Sequence, residues 1–328
     1  MNHILVNTSL NWNCGDDFIR DGVFRLLNIN VRKTPVYYFN HGLTSGDKFV
    51  ARVRGNGLTT KDAVFNSRLF VAAGTPAWFT KSSDIYSECL DQKVPIIICG
   101  AGMGQAHVSI LKELYDLNLL ICATTRDGLA HRCISIVGVP CKPFLDPAFY
   151  CQGFDRHSKD LGIILNYKGG TNGKYSTHHD QYYLDLYNKY KSDISAIVVH
   201  EAPEKKMAEQ LFNRPAIFSD DFNFYIDLYS RCSVYIGGRI HGAICSAAAG
   251  AFCVLICDDS RRGCITSAKS IFTQLGCNFP MQLLTYSTDI NSIHLDICTE
   301  NYNEIIHQNF LEHQNYLLCS MRQHNITI

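Results

Sequence analysis

The chain carries no excess of charge of either sign. Its 328 residues hold 30 Lys and Arg against 30 Asp and Glu, so the broad basic surface of a nucleic-acid-binding protein is absent. Any anion site must be a local cluster rather than a global field. A long apolar run is also missing. The longest, Gly242 to Cys257, is short for a membrane span and is broken by Gly250. The opening Met1 to Ser9 has no basic leader region and no long apolar stretch, and it reads as the start of a strand rather than as a secretory leader. The 15 cysteines include no C-x-x-C pair and no Cys/His set at zinc-finger spacing. Cys99, Cys122, Cys253 and Cys257 lie inside apolar runs, as expected for reduced, buried thiols in a cytoplasmic protein. Neither an internal repeat nor a low-complexity tract is visible. Peripheral attachment to a membrane surface is left open.

Hydrophobic residues make up 46% and charged residues 18%, a globular composition at a length suited to two domains. Apolar strand-like runs end in glycine or polar turns at Gly74, Gly100–Gly104 and Thr124–Asp127, with helical periodicity between them. A helix carrying Phe18, Ile19, Val23, Leu26 and Leu27 follows the first run. Residues 141–160, with Pro143, Pro147 and Gly153, read as a link. The alternation then restarts at Leu161–Asn166 and runs through Ala196–His200, Phe222–Ser230 and Ser233–Ile256. The expected fold class is α/β, with two Rossmann-like domains whose parallel sheets face each other across a cleft. The expected division is 1–150, 151–300 and a closing helix over 301–328.

Ligands of such sheets sit at the carboxyl ends of strands. Four segments fall there, and a fifth candidate lies in a polar loop. Gly237-Gly-Arg-Ile-His-Gly242 joins an apolar strand to a small-residue helix and offers Gly238, Arg239, His241 and Gly242 to an anion. Asn13-Cys-Gly-Asp16 follows the first strand: Gly15 permits a tight turn, while Asp16 and Asp17 either cap the helix or face a sugar hydroxyl. Gly100-Ala-Gly-Met-Gly104 is a poor dinucleotide fingerprint, because Gln105 stands where the third glycine belongs. Gly102 and Gly104 fit a backbone nest for another anion better. Arg126-Asp127 is either a surface ion pair or part of a site. His178-His179-Asp180, read as a polar loop, has no further metal ligand at a recognised spacing. No cofactor and no metal are expected.

Taken in order, Asn13-x-Gly-Asp16, Gly100-x-Gly-Met-Gly104, Arg126-Asp127, Gly138-Val139, Asp146-Pro-Ala-Phe149, Gly238-Arg-x-His241 and Ala248-x-Gly250 resemble the polysaccharide pyruvyl transferase family over roughly residues 4–280. The resemblance implies a glycosyltransferase-B-like fold and transfer of a pyruvyl group from phosphoenolpyruvate to sugar hydroxyls as a ketal. It puts Arg126, Arg239 and His241 at the phosphoenolpyruvate site. The family's lysine after the next strand is replaced here by Asp258-Asp-Ser-Arg-Arg262, so that Arg261 or Arg262 stands in for it. The chemistry wants a proton donor for the methylene carbon, for which His241 is suited. It also wants cations for the phosphate and carboxylate, and a base such as Asp16 for the sugar proton. The acceptor expected is a sugar, an oligosaccharide or a lipid-linked glycan, with no nucleic acid involved and the oligomeric state open. The competing readings are a nucleotide-sugar-dependent glycosyltransferase and a catalytically degenerate glycan-binding member.

Overall fold

The computed structural model describes residues 3–8, 14–40, 64–65, 67–74, 84–102, 108–151, 159–169, 177–259, 261–295 and 302–328. Short apolar runs rich in Ile, Val and Leu form strands because both their faces are buried. Every residue of Ile96–Ala101 and of Leu120–Thr125 is buried, the pattern of parallel sheets covered by helices on each side.

The first sheet contains β1 (His3–Thr8), β2 (Val36–Asn40), β3 (Ser67–Ala73), β4 (Ile96–Ala101), β5 (Leu120–Thr125) and β6 (Cys141–Pro143), in the order β2-β1-β3-β4-β5-β6. The second contains β7 (Leu161–Asn166), β8 (Ile194–Val198), β9 (Cys232–Gly237), β10 (Phe252–Ile256) and β11 (Met281–Leu284), in the order β11-β10-β9-β7-β8. All pairings are parallel. Read from β2 and from β8, the two orders follow the same doubly wound pattern, with β6 as an extra edge strand on the first, reversing direction between β1 and β3 and again between β7 and β9. Those reversals open crevices at the carboxyl edges.

The helices that matter for the site are α1 (Cys14–Leu26), α2 (Asp84–Gln92), α3 (Ser109–Asp116), α4 (Gly128–Ile136), α5 (Thr177–Tyr190), α6 (Ala202–Phe212), α7 (Phe222–Arg231), α8 (Ile240–Ala248), α9 (Arg262–Gln274) and α10 (Asn303–Gln323). Three strands go beyond the sequence reading. β2 and β11 lie where none was anticipated, and β6 is the first part of the expected link, extending the sheet beside β5. The link continues into a buried turn of 3-10 helix, Pro147–Tyr150. His178–Asp180, read as loop, belongs to the first turn of α5.

The last helix crosses back. Although it follows the second sheet in the chain, α10 packs against β5 and α1 of the first half. Asn309 Oδ1 accepts from Leu145 N at 3.0 Å and from Tyr150 OH at 2.6 Å. His313 is fully buried, shares a 2.9 Å hydrogen bond with Thr124 Oγ1, and stacks on Phe144 at 4.2 Å. The described cysteines are all free thiols, most of them buried.

Candidate functional site

The carboxyl end of β5 and the start of α8 meet. Arg126 follows β5 directly, and its backbone N–H is tied to Ala101 O at 2.9 Å. Its guanidinium points inward, 6% exposed, and donates to Asp146 Oδ2 at 2.6 Å. The same NH1 nitrogen lies 3.1 Å from His241 Nε2. His241 stands in the first turn of α8, where its side chain keeps 19% of its surface, and Nε2 is 3.7 Å from Asp146 Oδ2. Arg126 is therefore no surface ion pair. Its neighbour Asp127 turns the other way and caps α4, accepting from Ala130 N at 2.6 Å.

Burial favours the neutral acid at Asp146, but the Arg126 charge and then the His241 hydrogen bond outweigh it and hold the carboxyl well below the usual range. Burial likewise works against the Arg126 charge, and Asp146 more than offsets it. Pro147 sets where this carboxylate stands. A Cβ at Gly22 would come within 1.8 Å of Pro147 O, and one at Gly100, whose φ is +70°, within 2.4 Å of its Cδ. Only glycine at both positions leaves room for the proline.

A second cluster fills the β7/β9 crevice. Arg239, at the end of β9, is 8% exposed. It donates to Glu201 Oε1 at 2.8 Å and also pairs with Glu204. Glu204 in turn accepts from Gly169 N at 2.9 Å, so one carboxylate joins the ends of β7 and β9 through the first turn of α6. Lys168, two residues beyond β7, is 9% exposed. Burial, and then the charges of Arg261 and Arg239, bring its pKa down to about 8 against the pull of Asp259. Arg261 is forked onto Asp259, with Nε at 2.8 and 2.9 Å from its two oxygens. Asp259 is held ionised chiefly by that bond, against its own burial.

The expected site residues thus separate into groups. Arg126 and His241 are hydrogen-bonded to each other, and Gly102 lies against Arg126, where a Cβ would sit 2.4 Å from Nε. Gly238 lines the crevice beside Lys168, and Gly242 packs in α8 against Tyr235. Arg261 stands near Lys168, while Arg262 is the half-buried first residue of α9. Gly15 and Asp16 occupy the first turn of α1, with Asp16 half-buried. The Arg239 and Asp16 charges both act on the Cys14 thiol, so that turn borders the second crevice. Asn13 and Gly104 lie outside the described residues. His179 is 3% exposed among Tyr167, Tyr183 and Tyr286. Burial drives its pKa down to about 4. Among the described residues no group of His, Cys, Asp or Glu is arranged to hold a metal ion.

Sequence reasoning overlooked Lys168, Glu201 and Glu204, and named Asp146 in the family's motif order without giving it a role. A capping-box signal was present in Glu201-Ala-Pro-Glu204, and both of its bonds form. Lys168 had a weaker signal, a cation just past a buried strand. The whole arrangement offers clustered cations and one imidazole at the edges of two sheets, which suits a small multiply charged anion.

Among solved structures, a protein from Listeria monocytogenes assigned as a UDP-N-acetylglucosamine 2-epimerase is similar, with 9% identity, a TM-score of 0.52 and coverage of 99% of this chain and 97% of that one. The UDP-GlcNAc 2-epimerase of Neisseria meningitidis gives 10% identity, a TM-score of 0.47 and coverage of 100% and 95%. The glycosyltransferase SnogD from Streptomyces nogalater gives 10%, 0.43, and 98% and 95%. At 9% identity the likeness to the Listeria protein concerns the fold alone, two Rossmann-like domains in the glycosyltransferase-B-like arrangement. The search of curated protein sequences gives no match. The polysaccharide pyruvyl transferase model matches residues 13–256, well over half of the sequence, and the chain belongs to that family.

Proposed function

We propose that this protein moves a pyruvyl group from phosphoenolpyruvate to a pair of hydroxyls on a sugar of a polysaccharide or glycan precursor, forming a ketal. The observation that carries the reading is the 3.1 Å contact between Arg126 and His241, which joins a fixed cation from one sheet edge to an imidazole from the other, in a member of this family.

The donor carries a carboxylate and a phosphate on one enol carbon. Arg126 pairs with one anionic group, while Lys168 and the N–H groups opening α8 face the other. His241 gives a proton to the methylene carbon as the first sugar oxygen bonds to the enol carbon. Asp16 takes the proton from that hydroxyl. The bond from carbon to phosphate oxygen then breaks, and the phosphate leaves with the electron pair, stabilised by the same cations. The second hydroxyl adds to the resulting oxocarbenium ion and loses its proton to the departing phosphate, closing the ketal. The acceptor is a free sugar, an oligosaccharide or a lipid-linked glycan.

Thermal stabilisation tests the donor. Phosphoenolpyruvate should raise the melting temperature of the wild type and lose that effect on Arg126→Ala and His241→Ala. A shift with nucleotide sugars alone would assign the chain to glycosyl transfer instead.

A further inference from the structure

Asp146 has no part in the chemistry above, yet its carboxylate gathers the site. It is 1% exposed. Three elements converge on Oδ2: Arg126 NH1 from the end of β5 at 2.6 Å, Cys264 Sγ from α9 at 3.5 Å and His241 Nε2 from α8 at 3.7 Å. Oδ1 accepts from Ala148 N at 2.9 Å. The backbone next to it is wedged, because Pro147 occupies the space that a Cβ on Gly22 or Gly100 would need. A carboxylate so fixed can orient its partners without reorganising.

The protonation pattern follows from the donors. A guanidinium has only N–H groups to offer, so at 3.1 Å His241 Nε2 must be the acceptor and the imidazole proton stands on Nδ1. NH1 has two hydrogens, one directed to Asp146 and one to His241. An anion that pairs with Arg126 competes for that nitrogen and uncovers Nε2, which lies within a small movement of Asp146 Oδ2.

We propose that Asp146 is the positioning residue of this site: it aligns Arg126, fixes the His241 tautomer, and accepts the Nε2–H bond once an anionic ligand draws Arg126 away. His241 then takes a proton from solvent at Nε2 and becomes an imidazolium. Its Nε2–H is held by Asp146, and its Nδ1–H is the proton that reaches the methylene carbon. After transfer the neutral ring keeps Nε2–H against the carboxylate. The catalytic use of that proton rests on phosphoenolpyruvate being the donor. The tautomer and the orienting role do not.

Two measurements test this. Two-bond proton–nitrogen spectra of the histidines in the wild type, taken above their titration, should give His241 as the Nδ1–H form, and Asp146→Asn should shift it toward a mixture. An Nε2–H form in the wild type would overturn the proposal without any turnover assay. In steady-state kinetics with phosphoenolpyruvate, Asp146→Asn should lower kcat by about 10²- to 10⁴-fold with little change in KM. It should also move the alkaline limb of the pH profile to lower pH, and Asp146→Glu should recover part of both. A kcat within about threefold of wild type, or a loss with an unmoved pH profile, would reduce Asp146 to a structural role. If Asp146→Asn fails to fold, the wild-type spectrum and Asp146→Glu decide. If the tautomer is as expected and phosphoenolpyruvate is not turned over, the donor reading fails while the orienting role stands.

Discussion

Arg126 and Asp146 form an ion pair in which each partner's charge depends on the other, because both are almost fully buried. Removing one leaves an uncompensated charge, so Arg126→Ala should cost about 3–5 kcal/mol in urea unfolding at neutral pH. Adding Asp146→Ala should cost less than the sum of the singles, with a coupling of about 0.5–3 kcal/mol. Strict additivity would show the pair to be energetically independent. Lys168 supplies a pH signature. Its folded pKa is near 8, whereas an unfolded lysine titrates near about 10.4. Between those values the unfolded chain binds a proton that the folded chain does not, so this residue adds stability as pH rises through that window. A phosphate beside Lys168 favours the ammonium. Binding of phosphoenolpyruvate near about pH 9 should therefore take up protons, and calorimetry in two buffers of different ionisation enthalpy reads the uptake. Lys168→Met should show less of it, and proton release by the wild type would refute the assignment of Lys168 to the donor. The residues that carry the resemblance were legible, among them Arg126 and His241. Their partners were less so: Asp146 stood in the motif order without a role, and the roles of Glu201 and Glu204 come only from what faces them after folding.

At the scale of elements, packing around the 3-10 turn and α10 decides the site's rigidity. Gly22→Ala would drive a methyl into the Pro147 carbonyl, where backbone rather than a flexible side chain must yield. A loss of about 1–3 kcal/mol or more is expected from such overpacking, and an unchanged urea midpoint would show that the turn moves freely. His313 of α10 is held neutral by complete burial, with its pKa down to about 3. An unfolded histidine titrates near about 6.5, so below that value the unfolded chain gains a proton the folded one refuses, and stability falls by about 1.4 kcal/mol per pH unit from this group. His200 and His179 are shifted in the same direction by burial and steepen the fall. Unfolding at pH 7 and pH 5 should show a shallower loss in a folded His313→Gln variant; an identical slope would remove His313 from the account. Strands with strong apolar runs were readable from the sequence, such as Leu161–Asn166, which matches β7 residue for residue. β6 was not, because three residues that follow one proline and end in another carry no period, and it forms only because the edge of β5 offers unpaired backbone groups.

Across the whole molecule, the same order of five strands occurs in both sheets without a sequence repeat to announce it. The two sheets share the logic of βαβ connection rather than residues, which is why the two-domain α/β class could be read while the repetition could not. The crossing of α10 binds chain end to chain start: Ile305, Leu317 and Met321 are buried, and Gln314 Nε2 donates to Arg25 O at 3.2 Å. Truncation before Asn303 should therefore loosen the first sheet rather than the second, seen as faster amide exchange in β5 and α1. Faster exchange confined to β9 and β10 would contradict this packing. No described helix is long and apolar enough to cross a membrane.

The sequence by itself determined what depends on near neighbours. Apolar runs set the strands, glycines set their ends, and the spacing of Gly238-Arg239-x-His241 put a cation and an imidazole at a helix start. Only the tertiary structure decided which cation meets which base. Arg126 and His241 are 115 residues apart in the chain, and Arg239, nearer to that histidine in sequence, is turned onto Glu201 and Glu204 instead. The physical reason is that a buried charge goes where a compensating charge and a hydrogen bond are both within reach. Which partners lie within reach is fixed by how the two sheets dock, not by spacing along the chain.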